Sequence, residues 1–157
     1  MNISVEHIAI PAANPTALKS WYERVLGAKP IWDNGQNPPT CLISLANVWL
    51  EIYQTDAPLV ERGNNKLQGF RHLALRVPSL AAAKLDLEKR GVKFTEAERP
   101  AAGGGKVLFF EDGEGNLLHL VERPPISKFN SPGPKQENGH ADPMLNATGG
   151  CAQKNVR

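Results

Sequence analysis

The segment His7-Ile8-Ala9-Ile10 comes back as His72-Leu73-Ala74-Leu75, sixty-five residues later (72 − 7). Both copies read as strands. Residues two apart share a face of a pleated strand, so within Phe70 to Val77 the aliphatic set Leu73, Leu75 and Val77 lies on one face and His72, Ala74 and Arg76 on the other. A strand pattern repeated at this distance points to two copies of one module, and the fold has to accommodate both.

The two copies also continue alike. After His7 come Pro11, a helix start at Asn14-Pro15, an amphipathic run through Leu18, Trp21, Tyr22, Val25 and Leu26, and Gly27 as a stop. After His72 come Pro78, Ser79 as N-cap, a run through Leu80, Leu85 and Leu87, and Gly91 as a stop. Three strands are then predicted in each copy: Lys29 to Asp33, Cys41 to Leu45 and Trp49 to Tyr53 in the first, and Val92 to Glu96, Lys106 to Phe110 and Leu117 to Val121 in the second. Turn-rich stretches separate them, including Asp33-Asn34-Gly35, Ala46-Asn47 and the hairpin turn Asp112-Gly113-Glu114-Gly115-Asn116. The expected plan is βαβββ twice, an α+β fold.

A chain of 157 residues is short for two independent cores, so the modules, residues 1–54 and 70–123, are expected to share one within a domain of residues 1–123. Residues 124–157 combine Pro124, Pro125, Pro132, Pro134 and Pro143 with Gly, Asn, Ser and Lys, lack apolar periodicity, and read as a flexible tail. No run of eighteen apolar residues spans a bilayer and no secretory signal opens the sequence, so a cytoplasmic protein without a membrane role is expected. Cys41 and Cys151 imply no disulfide framework. Basic and acidic residues balance outside the tail, and no basic stripe with interleaved aromatics marks nucleic acid as a ligand.

The chemistry falls on four strand positions. His7 and His72 open the first strand of each module, Glu51 lies between Leu50 and Ile52, and His119 lies between Leu118 and Leu120. By the period of two, the flanking aliphatics face the helices and the polar residue faces the opposite side of its sheet. If the two sheets curl towards each other, the four groups converge on a common cleft. Three imidazoles and one carboxylate then make a metal-binding set suited to zinc, nickel, iron or manganese more than to calcium. Taken singly, a strand histidine is more often a hydrogen-bonded structural residue, and a strand glutamate a solvated one. The set carries the reading, because three of the chain's four histidines hold matched positions and only His140, in the tail, does not. Glu122 has the opposite parity to His119 and is expected to face solvent.

The segments His7-Ile8-Ala9-Ile10, Trp21 to Gly27, Leu50-Glu51-Ile52, His72 to Val77, Gly104 to Phe110 and Glu111 to Asn116, in this order and spacing, resemble the vicinal oxygen chelate superfamily, and within it glyoxalase I (lactoylglutathione lyase) and its relatives. The resemblance covers roughly residues 5 to 123. It implies paired βαβββ modules forming an open eight-stranded half-barrel around one divalent metal, with ligands His7, Glu51, His72 and His119. It also implies a lyase or isomerase that moves a proton on a small oxygen-chelating substrate such as a glutathione hemithioacetal, and a homodimer, since such half-barrels commonly complete their sites across subunits. In one respect the chain departs from glyoxalase I, which usually has Glu where this chain has His119. Glu51 is then the one coordinating carboxylate left, and would act as both ligand and general base. Trp49 and Tyr53 share its parity and could wall the cleft; Arg76 shares that of His72 and could meet an anionic substrate group. The same scaffold also serves epimerases, extradiol-type dioxygenases and non-catalytic binders of the bleomycin-resistance type, and fold alone does not choose among them.

Overall fold

A computed structural model of the chain describes residues 1, 3–58, 60, 61, 63–127 and 129. The first module runs β1 (His7–Ala12), α1 (Pro15–Leu26), β2 (Lys29–Asp33), β3 (Cys41–Leu45) and β4 (Val48–Gln54). The second runs β5 (His72–Arg76), α2 (Leu80–Lys89), β6 (Arg99–Pro100), β7 (Lys106–Glu111) and β8 (Leu117–Glu122). Each module makes a four-stranded mixed sheet, ordered β1-β4-β3-β2 and β5-β8-β7-β6, in which the first and last strands run parallel.

Local chemistry sets the helix ends. The Asn14 side chain accepts from the Ala17 amide at 3.0 Å ahead of Pro15, and Gly27 ends α1 in the left-handed region with φ of 71°. That conformation costs glycine little because it has no Cβ. In α2 the Ser79 hydroxyl accepts from the Ala82 amide at 3.3 Å, and Glu122 accepts the Leu80 amide at 2.6 Å. Glu122 is therefore not a solvent-facing residue as its parity predicts. It lies on the helix side of its sheet, where a carboxylate satisfies an orphan amide and complements the positive end of the helix.

The alternation read from the sequence holds in both sheets. Cys41, Ile43, Leu50 and Ile52 of the first, and Leu108, Phe110, Leu118 and Leu120 of the second, are buried together with Leu18, Tyr22 and Val25 of α1 and Leu80 and Leu87 of α2 in a single apolar cluster. Leu85 points outward instead.

Two strand expectations need correction. The strand at Phe70 begins only at His72, leaving Phe70 fully exposed. More consequentially, Val92 to Glu96 is not a strand. Val92 is buried and Phe94 packs on Phe110 at 5.6 Å between ring centroids, so the apolar alternation there is satisfied by core packing rather than by a ladder. The chain meets β7 only at Arg99 and Pro100, and proline has no N–H with which to extend the pairing.

The modules are joined through α1. The Tyr22 hydroxyl donates to Asp112 Oδ2 at 3.0 Å, and Asp112, which is 7% exposed, also accepts from the amides of Glu114 and Asn116 and from the Asn116 side chain. Burial, followed by the negative charge of Asp112 and the hydrogen bond to it, raises the Tyr22 pKa well above the phenol range. Glu114 reaches back to accept from the amides of Ala13 and Asn14, both at 2.6 Å. Arg24 and Arg90 donate to the carbonyls of Arg90 and Val25, each at 3.1 Å.

Hydrogen bonds to a charged group contribute about 1.5–3 kcal/mol. Tyr22→Phe is accordingly expected to lower unfolding stability by about 1–3 kcal/mol, and Asp112→Ala, which leaves several buried donors unpaired, by more. Urea unfolding of the two variants measures both losses; equal stability of Tyr22→Phe and the parent would show that this contact does not hold the modules together.

Candidate active site

The two sheets each carry an open face on the side away from the helices, and the four polar strand residues lie there. In the first sheet the register pairs Ala9 with Glu51; in the second it pairs Ala74 with His119. Each last-strand residue thus lies opposite the second residue after the first-strand histidine, so Glu51 and His119 occupy equivalent places in the repeat. Trp49 and Tyr53 flank Glu51 on its own face, with Trp49 exposed and Tyr53 half-buried.

Within the first sheet His7 Nε2 lies 3.5 Å from Glu51 Oε2, with the two side chains 36% and 32% exposed. The other ring nitrogen of His7, Nδ1, is held by the Glu6 carboxylate. Within the second sheet the rings of His72 and His119 are 4.5 Å apart between centroids, and His72 Nδ1 is held by Asn65 Oδ1 at 2.6 Å. Both first-strand histidines therefore have Nδ1 engaged by an acceptor. Partners on the Nδ1 side hold both rings in place, as outer partners orient metal-ligating imidazoles, and leave each Nε2 directed elsewhere, that of His7 towards Glu51. His119 Nδ1 is buried with no hydrogen-bond partner.

Phe109 is the residue that sequence reasoning missed. It pairs with His119 in the ladder, and its ring stands nearly perpendicular to both imidazoles, with centroids 4.8 Å from His119 and 5.7 Å from His72. A cavity of about 330 Å³ adjoins it where residues 92–96 leave the β7 edge, lined among others by Trp21, Thr95, Phe109 and Glu111. The parity of β7 could have placed Phe109 and Glu111 on the histidine face. Asn65, in the long connection before β5, carries no comparable sequence signal.

Thus the structure brings His7 to Glu51 and His72 to His119. Among the described residues no group of three or more histidine, cysteine, aspartate or glutamate side chains is gathered at one point. Taken together the two pairs offer donors that fit a divalent ion: three imidazoles, the Glu51 carboxylate, and a buried His119 ring nitrogen lacking a partner. Arg76 is on the His72 face, where its guanidinium donates to the Phe129 carbonyl at 2.7 Å. His140 lies outside the described residues.

His119 is pushed down to a pKa of about 4 from the ordinary 6.5, first by burial, then by the neighbouring His72 and by the charge of Arg123. It is neutral, and available as a ligand, throughout the physiological range. Below pH 6.5 an unfolded chain would take up a proton that folded His119 refuses. The stability this residue contributes is therefore complete above that pH and is lost as pH falls towards 4. NMR titration of metal-free protein is expected to show His119 neutral down to about pH 4; titration near 6.5 would contradict its desolvation.

Comparison with known proteins agrees with this architecture. Residues 4–120 match the family described as the Glyoxalase/Bleomycin resistance protein/Dioxygenase superfamily. The mitochondrial methylmalonyl-CoA epimerases of Mus musculus and Homo sapiens are each 25% identical over 130 residues, covering 75% of this chain and 72% and 73% of theirs. Among solved structures, a glyoxalase family protein from Enterococcus faecalis superposes with a TM-score of 0.65 at 28% identity, covering 76% of this chain and 97% of that one. The fosfomycin resistance protein FosX of Listeria monocytogenes, complexed with Mn(II) and sulfate, shares the fold with a TM-score of 0.62 at 20% identity, covering 80% and 94%. With its two βαβββ halves and a family match running from residue 4 to residue 120, the chain belongs to the Glyoxalase/Bleomycin resistance protein/Dioxygenase superfamily.

Proposed function

We propose that this protein is a divalent-metal-dependent enzyme that moves a proton at a carbon next to a carbonyl or hydroxyl oxygen, with Glu51 as the base. The observation that carries the reading is the pairing of Glu51 with His7 on one open face, opposite in the repeat to the pair His72 and His119. His7, Glu51, His72 and His119 would hold the metal. When bound, the metal supplies Lewis acidity that stabilises negative charge on the substrate oxygens.

The rest falls to the chain's own residues. Glu51 takes the proton from carbon and the electron pair left behind shifts onto the oxygen of the adjacent carbonyl; return of the proton to the adjacent carbon completes an isomerisation, and its delivery to the opposite face of the first carbon completes an epimerisation. Trp49, Tyr53 and Phe109 line the open faces with aromatic surface that keeps water from the reacting carbon. The epimerase relatives favour an acyl thioester with an acidic carbon beside its carbonyl. A glutathione hemithioacetal, the glyoxalase I substrate, is the second reading, since His119 replaces the glutamate usual there.

We further infer that two copies of the chain complete the site. Within one chain the modules are joined through α1, α2 and the β7–β8 turn, and among the described residues the two pairs are not gathered into one group. A homodimer that sets the first sheet of one copy against the second sheet of the other would unite the four ligands.

Glu51→Gln keeps the size and an oxygen donor but cannot accept a proton, so it is expected to retain metal while losing about a hundredfold to ten-thousandfold in turnover. Solvent deuterium incorporation into methylmalonyl-CoA and into the methylglyoxal–glutathione hemithioacetal measures this and distinguishes the two substrates. Wild-type turnover in Glu51→Gln would remove it as the base.

His7→Ala and His72→Ala are each expected to lose metal. Mixing the two variants should restore one intact site in every heterodimer if ligands are shared between copies, and none if they come from a single chain. Metal analysis after mixing, with light scattering for mass, decides between these arrangements.

A further inference from the structure

The connection between β4 and β5 touches the second sheet at the row that holds His72. Ladder pairing sets Glu111 beside Leu117 and Leu117 beside His72, so these three residues form one row across β7, β8 and β5 on the open face. At about 4.8 Å between strands the row is about 10 Å wide. Gly63 and Asn65 reach its two ends. A Cβ placed on Gly63 would stand 3.1 Å from Glu111 Oε1, and Asn65 Oδ1 lies 2.6 Å from His72 Nδ1.

The chain is shaped locally to place Asn65 there. Gly63 adopts the left-handed region with φ of 67°, and Asn64 Oδ1 accepts from the Lys66 amide at 3.0 Å, a side-chain turn that brackets Asn65. Asn65 and Lys66 are both exposed, so burial does not hold the turn at these positions.

His72 has a use for such a partner. An imidazole turned by half a revolution about its Cβ–Cγ bond keeps nearly the same shape while its nitrogens change places with carbons. Ring packing does not tell the two orientations apart. His119 and Phe109, with centroids at 4.5 and 5.7 Å, confine the His72 ring without selecting its nitrogens. Asn65 selects them, because a hydrogen bond needs a nitrogen. In the first module the same atom of His7 is met by Glu6, its neighbour in the chain. The repeat places Arg71 where Glu6 would be, and a cation offers no acceptor, so in the second module the partner comes from the connection instead.

We propose that Asn65 is a positioning residue for His72: its carboxamide oxygen accepts the Nδ1 proton, leaves the Nε2 lone pair free for a divalent ion, and ties the connection between the modules to the metal site. Outer partners of this kind are worth about tenfold to a hundredfold in metal affinity. The coupling is reciprocal, so an ion whose affinity Asn65 raises holds Asn65 on His72 more firmly by the same factor. Metal binding thereby secures the chain at Lys66, the next residue. This deepens the proposed function and rests on its assignment of His72 as a ligand.

Three measurements on the full chain test it: Co(II) titration followed by absorption, NMR of the histidine ring nitrogens in metal-free protein with the rings neutral, and limited digestion with trypsin. Asn65→Leu is expected to weaken Co(II) binding about tenfold to a hundredfold and to let the His72 proton divide between Nδ1 and Nε2. Asn65→Asp, which keeps an acceptor in the same place, is expected to restore both. Saturating Co(II) is expected to slow cleavage after Lys66 in the parent and in Asn65→Asp but not in Asn65→Leu. Parent affinity together with an undivided Nδ1 proton in Asn65→Leu overturns the positioning role. If Asn65→Asp behaves as Asn65→Leu does, the carboxamide oxygen is not the acceptor; equal cleavage of the parent with and without Co(II) overturns the coupling. A parent that binds no Co(II) overturns the proposed function, whereas the hold of Asn65 on His72 is still read by NMR of the metal-free protein, so the two failures leave different signatures.

Discussion

A single buried carboxylate organises the way the two halves of this protein meet. Asp112 shapes the β7–β8 turn by accepting from the amides of Glu114 and Asn116, and in the same environment it receives the Tyr22 hydroxyl from the helix of the other module. A charge placed among apolar groups is tolerated only where donors surround it, so the turn and the helix are obliged to stay together. Glu114, projected by that turn, then takes two amides at the start of α1. The geometry of both open faces depends on this joint, because it sets which side of each sheet is spoken for by helices.

Much of the site is legible in the chain because a strand turns chemistry into parity. His7, Glu51, His72 and His119 each stand beside aliphatics, and the aliphatics flanking Glu51 and His119 are buried against α1 and α2. The repeat supplies the rest, aligning Glu51 and His119 across two modules. Where a pattern has two physical solutions, parity is not enough. Val92 and Phe94 alternate as a strand would, yet they are accommodated by packing while the backbone leaves the ladder. Glu122 has a polar side chain on the apolar side of its strand, and only the position of the α2 N-terminus explains it. Asn65 and Phe129 come from segments whose composition carries no periodicity, so their contacts with His72 and Arg76 emerge only in three dimensions.

The division of the four polar strand residues into two pairs changes how the electrostatics are balanced. Histidine and glutamate at 3.5 Å in the first module form a pair of opposite potential charge, whereas two imidazoles facing each other in the second would repel if both were protonated. Burial keeps His119 neutral and so avoids that repulsion. The carboxylate thus lies in the first half, and the buried, uncharged imidazole in the second.

That inequality has a stereochemical reading. Glu51 and His119 lie opposite Ala9 and Ala74, at places that an exact twofold repeat would make interchangeable. Had both been glutamate, a substrate seated between the halves would meet equivalent bases from either side, and its two orientations would be chemically alike. A carboxylate in one half and an imidazole in the other make the two open faces chemically unlike. In the proposed reaction, a molecule held between such faces would have one orientation that brings its acidic carbon to the carboxylate.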